Sequence, residues 1–297
     1  MQRVYLDNAA TTRVRPEVVQ AMLPYFTEIY GNPSSLHTFA QEAAKGIADA
    51  RSSVAQALHA ASPEEIIFTG GGSESDNMVL RGIAQAYAKK GRHIITSAVE
   101  HHAVLHTLQA MEREGIVEVT YLPVDADGKV SVESVAAAIR PDTILVSIMF
   151  ANNEVGTIMP IPEIGRVCHE KGVLFHTDAV QAVGHVPIDV QQMQIDLLSL
   201  SAHKFHGPKG VGALYVKKGV RLPALILGGG QERKKRAGTE NVPGIVGLGV
   251  AISHAVEHME ENAAHMRALR DKLIAGIPAA IPDVKLNGHP TDRLPNN

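Results

Sequence analysis

The sequence predicts an α/β protein whose mostly parallel sheet is covered by helices on both faces. Its 297 residues are 45% hydrophobic and 20% charged, as in an ordinary globular chain long enough for about two domains. Short apolar runs alternate with longer amphipathic stretches, and this alternation is typical of βαβ units. The candidate strands are residues 64–69, 92–97, 117–123, 143–149, 172–178, 196–201 and 212–216.

Helical patterns lie between several of these strands. Residues 73–91 begin with Ser73 and Asp76 at the spacing of a capping box and end in basic residues before a glycine. Residues 163–172 form a second amphipathic pattern, and the chain becomes helical again from about residue 245. We expect a shorter αβ segment after that last helical stretch.

The composition argues against several classes of partner. A formal net charge of −3 gives no general electrostatic reason to bind nucleic acid or an anionic membrane. The first residues are polar or charged where a secretory signal needs an apolar segment, and no run of 18 apolar residues follows. The single cysteine, Cys168, excludes a disulfide within the chain and suits a reducing compartment. We therefore expect a cytoplasmic protein that acts on a small molecule.

Ligands of parallel α/β sheets bind at the carboxyl ends of strands, and two of the predicted strand ends carry glycines or histidines. In FTGGGSESDN (68–77), three glycines lead from a strand into a helix, which suits either a phosphate or a tight structural turn. In SAVEHHAVLH (97–106), His101 could stack on a planar ring or cap a helix. A metal site at His102 and His106 lacks a third ligand at suitable spacing, so we expect no metal.

Two further strand ends carry an aspartate and a lysine. Asp178 ends one apolar strand, and its partner would be a helix N-terminus or a protonated ring nitrogen. Lys204 follows another, where it would be a snorkelling surface residue or a buried amine able to attack aldehydes. A phosphate loop, a ring-facing histidine, an aspartate and a lysine are together the groups that pyridoxal 5′-phosphate (PLP) requires. Lys204 would then hold the PLP aldehyde as a covalent imine.

Eight motifs follow one another in a specific order. They are LDNAATT (6–12), YGNPSSLH (30–37), FTGGGSESDN (68–77), EHHAVL (100–105), ANNEVG (151–156), HTDAVQ (176–181), SAHKFHGPKG (201–210) and RAGTENVPGIVG (236–247). This order resembles the NifS/IscS-type cysteine desulfurases of the class V aminotransferase group. The resemblance implies a PLP-dependent transferase of fold type I that forms a homodimer with the cofactor near the subunit interface.

The resemblance also implies a division of the chain into domains. Residues 1–12 would be an N-terminal segment of a small domain, and residues 13–255 the large PLP-binding domain. Residues 256–297 would begin a small C-terminal αβ domain that is incomplete. The chain would then be a fragment or a truncated product of a desulfurase gene.

The resemblance assigns roles to ten site residues. Lys204 would carry the imine, and His101 would stack on the pyridine ring and assist acid–base steps. Asp178 would pair with the ring nitrogen, while Gln181 and Asn153 would contact the hydroxyl side of the ring. The phosphate would be bound by Gly72, Ser73, Ser201 and His203, with Thr239 reaching over from the other subunit.

The implied reaction converts L-cysteine to L-alanine and passes the sulfur on as a persulfide. The recipient would be an acceptor or scaffold protein for iron–sulfur cluster or thio-cofactor assembly. In this family the persulfide cysteine and the arginine that binds the substrate carboxylate lie beyond the last residue of this chain. Cys168 is expected to pack in the core beside Ile164 and Val167. Two alternatives stay open, a selenocysteine or cystine lyase and a PLP-binding chain without activity.

Overall fold

The computed structural model of the protein describes residues 3–297, so residues 1 and 2 of the expected segment 1–12 lie outside the described residues. Its strands are β1 (Ile66–Thr69), β2 (His93–Ser97), β3 (Glu118–Leu122), β4 (Thr143–Ser147), β5 (Leu174–Asp178), β6 (Leu197–Ser201) and β7 (Gly212–Val216). They form one sheet in the order β1-β7-β6-β5-β4-β2-β3. β7 is antiparallel to β1 and β6, and the other neighbouring strands are parallel. All seven predicted strands are therefore confirmed, and so is the mostly parallel sheet.

Helices surround this sheet, and two short ones lie in connecting segments. In chain order they are α1 (Pro16–Met22), α2 (Pro24–Thr27), α3 (Thr38–Ala57), α4 (Gly72–Ala86), α5 (His102–Arg113), α6 (Val132–Ala138), α7 (Ile161–Glu170), α8 (Gln231–Lys234), α9 (Val242–Glu257) and α10 (Met259–Ala280). A 3₁₀ turn, Pro63–Glu65, precedes β1, and another, Ala202–Lys204, follows β6.

Strand residues alternate between two buried cores, which explains why the strands read as unbroken apolar runs. Ile67 and Leu145 belong to the core under α4 and α5. Their neighbours Phe68 and Val146 belong to the core under α3, α7 and α9. Both faces of the sheet are therefore covered, as expected for parallel strands. Each such side chain contributes about 1.5–3 kcal/mol when fully buried.

The chain after β7 differs from the prediction. The helical stretch consists of two helices, α9 and α10, which meet at a bend of 70°. No strand follows β7 within residues 3–297. In this described range no single helix is long and apolar enough to cross a membrane, and α9 and α10 meet that test only as a bent pair.

The start of α4 corrects the predicted capping box. The N-cap is Gly71, no side chain caps the helix, and Ser73 lies inside the first turn. Gly71 has a φ of 149°, which favours glycine, and a Cβ on Gly72 would lie 2.6 Å from Cγ2 of Val180. The glycines thus bring the helix start close against the loop after β5. The hydroxyl of Ser73 is not used as a cap, and Ser73 lines the cavity described below.

A buried ion pair holds the loop that precedes α9. Glu232, Arg233 and Lys234 have φ values of 45°, 55° and 64°, a left-handed conformation that residues other than glycine rarely adopt. Glu232 accepts hydrogen bonds from both terminal nitrogens of Arg51, at 2.8 and 2.7 Å, and from the N–H of Phe68 at 2.9 Å. The two charged side chains are 13% and 3% exposed. The ion pair therefore ties this strained turn to α3.

Candidate active site

The strand ends singled out in the sequence meet at one cavity. β5 ends at Asp178, and β6 ends at Ser201 just before the 3₁₀ turn that carries Lys204. The cavity has a volume of about 580 Å³, within the range of small-molecule sites. Nine of the ten predicted site residues line it: Gly72, Ser73, His101, Asn153, Asp178, Gln181, Ser201, His203 and Lys204. Thr239 does not, and instead lines a separate cavity of about 170 Å³ beside Glu232.

One end of the cavity offers hydrogen-bond donors to an anion. α4 begins there, and the first N–H groups of a helix have no partner within the helix. Ser73 and Ser201 add hydroxyl groups, and His203 adds a ring whose Nδ1 lies 3.1 Å from Oγ1 of Thr11. Burial and the neighbouring charge of Lys204 lower the pKa of His203. The ring is therefore neutral at physiological pH and contributes a hydrogen bond rather than a charge.

Lys204 lies under the N-terminal segment of the chain. Its Nζ donates hydrogen bonds to the carbonyl oxygens of Ala9, at 2.5 Å, and Ala10, at 2.9 Å. The same segment is anchored by Thr12, whose N–H and Oγ1 both donate to the carbonyl of His203, at 2.9 and 2.8 Å. Burial lowers the pKa of Lys204. The amine therefore loses its proton more readily than a surface lysine and is a stronger nucleophile.

Asp178 and His101 line the same part of the cavity. Oδ1 of Asp178 accepts a hydrogen bond from the N–H of Val180 at 2.9 Å. Burial raises the pKa of Asp178, while that N–H and the charges of His101 and Lys204 act in the opposite direction. His101 is the N-cap of α5, and its Nδ1 accepts the N–H of Ala103 at 3.1 Å. The histidine thus caps a helix and also presents its ring to the cavity.

Gln181 and Asn153 contribute amide groups to the cavity. Nε2 of Gln181 donates to the carbonyl of Ala9 at 3.1 Å, and Nδ2 of Asn153 donates to Glu154 at 2.6 Å. Both amides can exchange these partners for a polar ligand at little cost, because side-chain amides offer donors and an acceptor.

This donor set fits PLP. The cavity combines an anion-binding end, a partly buried amine, a buried carboxylate and an imidazole ring, which match the phosphate, aldehyde, ring nitrogen and ring face of the cofactor. The close approach at Gly72 matters as well, because a Cβ there would push against Val180 at the mouth of the anion-binding end. The glycine loop therefore combines a tight structural turn with a helix start whose N–H groups are free for an anion.

The two histidines considered as weak metal candidates, His102 and His106, contact each other. The rings of His102 and His106 stack with their centroids 4.7 Å apart on the exposed side of α5. Within residues 3–297 the one group of three potential ligands consists of Asp76, His101 and Asp178, whose ligand atoms lie within 4.8 Å of one another. That group belongs to the cavity already described.

Two buried carboxyl groups beside the cavity, Asp76 and Glu100, were not predicted from the sequence. Asp76 is 1% exposed and Glu100 is 4% exposed. Asp76 lies three residues before Val79 and four before Leu80, both fully buried on α4. This helical spacing assigns Asp76 to the buried face, and it was a usable signal in the sequence. Its interpretation as a capping residue obscured that signal.

Glu100 is held by two hydrogen bonds in the turn between β2 and α5. Its Oε1 accepts from Oγ of Ser97 at 2.6 Å and from the N–H of Met149 at 3.0 Å, while Oε2 is buried without a partner. Burial raises the pKa of Glu100 to about 8. At neutral pH this side chain is therefore protonated in the folded chain but ionised in the unfolded chain.

Replacing Glu100 with glutamine is expected to flatten the pH dependence of stability. Between pH 5 and pH 7 the unfolded chain has released the proton of Glu100 and the folded chain has kept it, so wild-type stability falls as pH rises. The wild type should lose about 2–3 kcal/mol of its free energy of unfolding between these pH values through Glu100. The Glu100→Gln chain should not lose it, because glutamine has the same shape and no proton to release. Urea unfolding at pH 5 and pH 7 gives the free energy of unfolding of both chains. An equal change between the two pH values in both chains would contradict the prediction.

Cys168 lies in the core under α7, and its predicted packing role is confirmed. The side chain is fully buried, like Ile164 on the same face. Burial raises the pKa of the thiol to about 12. A thiolate is the nucleophilic form of cysteine, so this thiol is unreactive in the folded chain.

Cys168 is accordingly expected to resist alkylation until the chain unfolds. At pH 8 we expect iodoacetamide to modify the native chain at least about 10²-fold more slowly than the urea-unfolded chain, because access and thiolate formation are both suppressed. Intact mass spectrometry over time gives both rates. A Cys168→Ala chain controls for modification of other groups, and rapid labelling of the native wild type would refute the assignment.

Comparison with known proteins gives a consistent set of relatives. The sequence profile of the family described as Aminotransferase class-V matches residues 4–296. The cysteine desulfurase IscS of Clostridium botulinum is 60% identical over all of this chain and 75% of its own length. The cysteine desulfurase IscS of Methanosarcina thermophila is 60% identical over 99% of this chain and 72% of its own length.

Solved structures agree with these sequence relatives. A NifS-like protein superimposes with a TM-score of 0.90 at 48% identity, covering 93% of this chain and 75% of that structure. The structure described as SspA in complex with cysteine superimposes with a TM-score of 0.85 at 44% identity, covering 92% of this chain and 78% of that structure. The expected fold type I architecture is thereby confirmed.

Proposed function

The chain belongs to the aminotransferase class-V family, and from this premise we propose that it is a PLP-dependent cysteine desulfurase. The reaction is L-cysteine + R–SH → L-alanine + R–S–SH, in which a thiol receives the sulfur as a persulfide. The observation that carries the proposal is the convergence of nine predicted site residues on one cavity around Lys204 and Asp178.

The cofactor would occupy this cavity with its phosphate at the start of α4. The N–H groups of Gly72 and Ser73, together with Ser201 and His203, would bind the phosphate oxygens. When bound, PLP supplies an aldehyde that condenses with amines and a pyridinium ring that withdraws electrons from the substrate Cα. A covalent link to Nζ of Lys204 is part of the proposal, since Lys204 is the lysine that lines this cavity.

Lys204 would also move the proton in the reaction. With substrate in the cavity, a neutral Nζ would take the proton from the substrate Cα and later deliver a proton to the product. Burial lowers the pKa of Lys204, which favours the neutral amine that this role needs. The carbonyl oxygens of Ala9 and Ala10 would hold the protonated form between these steps.

The remaining side chains would orient the ring. Asp178, as a carboxylate, would face the ring nitrogen and keep it protonated. The ring of His101 would lie against the ring face and assist proton transfers. Gln181 and Asn153 would donate hydrogen bonds to the hydroxyl side of the ring.

The sulfur acceptor is not Cys168, because its thiol is buried in the core and its pKa is raised to about 12. Cys168 is also the one cysteine among the 297 residues. A mobile thiolate at the cavity would therefore have to come from outside these 297 residues. The same observation keeps the second candidate open, a selenocysteine or cystine lyase that needs no acceptor cysteine of its own.

The test is reconstitution with PLP followed by product analysis. The chain should retain PLP through gel filtration, and with L-cysteine and excess dithiothreitol it should form alanine and sulfide in equal amounts. Failure to retain PLP would overturn the cofactor proposal. Retention of PLP without alanine from cysteine, but with alanine from selenocysteine, would favour the lyase. Retention without turnover of either substrate would leave a PLP-binding chain.

We also propose the assembly and location expected from the sequence. A homodimer would let Thr239, which lies outside the cavity of its own chain, reach the phosphate of the partner. Residues 13–255 would form the PLP-binding domain, flanked by small-domain segments 1–12 and 256–297. L-cysteine is the proposed substrate, and a sulfur-acceptor or iron–sulfur scaffold protein is the proposed partner. The proposed location is the cytoplasm, because its reducing conditions suit a chain with one unpaired cysteine.

A further inference from the structure

Asp76 is a buried acid that the proposed reaction does not use. It is 1% exposed on the inner face of α4 and lines the same cavity as Lys204. Its Oδ1 is buried without a hydrogen-bond partner, and it lies 3.7 Å from Nε2 of His176. Burial lowers the pKa of His176 to about 3, so the ring is neutral and offers no counter-charge.

A second buried acid lies close to Asp76. One carboxylate oxygen of Asp76, one of Asp178 and a ring nitrogen of His101 lie within 4.8 Å of one another. Two carboxylates this close in a buried site repel each other strongly, and in such pairs one acid keeps its proton. Glu100 is a third buried carboxyl in the same region, and it too keeps its proton at neutral pH because burial raises its pKa to about 8.

The surroundings decide which acid ionises. Asp178 accepts the N–H of Val180, and Lys204 and His101 also lie near it; all three act to lower the pKa of Asp178. Asp76 has a neutral neighbour, His176, and a repelling one, Asp178. Ser199 is the group that favours ionisation of Asp76, but burial and Asp178 outweigh it and raise the pKa of Asp76.

We propose that Asp76 stays protonated at neutral pH and is a positioning residue for Asp178. As a neutral acid it fills the space beside Asp178 without adding charge, so Asp178 can carry the single negative charge at this end of the cavity. The role in cofactor binding rests on the proposed function, because it matters only if a ring nitrogen faces Asp178. The protonation state itself is a property of the chain with or without PLP.

Infrared difference spectroscopy tests the protonation state directly. The spectrum of the wild-type apo chain minus that of Asp76→Asn at pH 7 should contain the carbonyl stretch of a protonated carboxylic acid. Glu100→Gln should leave that band in place, and aspartate labelled with ¹³C at the carboxyl carbon should shift it in the wild type. If the wild-type minus Asp76→Asn spectrum contains carboxylate bands and no acid band, Asp76 is ionised and the proposal is overturned. If Asp76→Asn does not fold, a ¹³C-shifted acid band in Glu100→Gln still identifies an aspartate as the protonated acid, and absence of that band would overturn the proposal.

The positioning role is tested by rescue with the conservative variant. Asp76→Ala should weaken PLP binding by about tenfold, since it opens a cavity beside Asp178, and Asp76→Asn should restore affinity to within about threefold of the wild type. Asp76→Asn binding PLP as weakly as Asp76→Ala would show that the charge of Asp76 is needed, and would refute the proposal. If the wild type itself does not bind PLP, the proposed function fails, while the infrared result still decides the protonation state of Asp76.

Discussion

Replacement of Lys204 with alanine is expected to abolish covalent retention of PLP and to lower desulfuration of cysteine by at least about 10³-fold. Among the described residues that line the main cavity, Lys204 is the only amine. Its removal takes away both the attachment point for the cofactor and the base that accepts the substrate proton. After treatment with borohydride, the intact mass of the wild type should increase by one reduced PLP group, and the mass of Lys204→Ala should not change.

Lys209 provides the matched control for this experiment. It lies five residues further along the chain and lines the opening at the start of α4 rather than the main cavity. Lys209→Ala should therefore still be trapped with one PLP group by borohydride. The attachment point would have been assigned to the wrong lysine if borohydride trapped PLP on Lys204→Ala. The same would hold if Lys209→Ala, which keeps Lys204, were not trapped.

Replacement of Arg51 with alanine is expected to lower the free energy of unfolding by about 3–5 kcal/mol, because it leaves a buried carboxylate without its partner. Glu232 is almost fully buried, and Arg51 also donates to the carbonyl of Ile66 at 2.6 Å and lies 4.7 Å over the ring of Phe68. All of these contacts disappear together in Arg51→Ala. Urea unfolding followed by circular dichroism measures the loss.

A second ion pair on the same helix supplies the control. Lys45 and Asp49 pair at 2.6 Å on α3 with side chains that are 76% and 65% exposed. Exposed pairs contribute little, so Lys45→Ala should leave the free energy of unfolding nearly unchanged. A double variant, Arg51→Met with Glu232→Gln, should recover part of the loss. Equal effects of Arg51→Ala and Lys45→Ala would show that burial of Glu232 does not control this energy.

The strands and the main site residues could be predicted because their signals are local. A strand buried on both faces needs apolar residues at successive positions, as in 143–147, and this run is visible without any neighbour. Asp178 and Lys204 stand out because each interrupts an apolar pattern at a strand end. Their convergence followed from one general property of parallel sheets, that carboxyl ends lie together at one edge.

The features that escaped prediction depend on partners far along the chain. Arg51 and Glu232 are 181 residues apart, and nothing in either local sequence indicates the other. The start of α4 was misassigned because the geometry of Gly71, rather than the side chain of Ser73, begins the helix. Asp76 and Glu100 were overlooked because buried acids are rare, and their burial depends on how α4 and the turn after β2 pack together.

The anchoring of the N-terminal segment over Lys204 also sets an order of events during synthesis. Thr12 leaves the ribosome 191 residues before the carbonyl of His203 that holds it. At about 5–20 residues per second, this separation is a wait on the order of 10–40 s. Throughout that interval the apolar side chains of Val4 and Leu6, which stay exposed even in the folded chain, are available to chaperones. The wall that the N-terminal segment gives the cavity is consequently completed only after residue 204 has emerged.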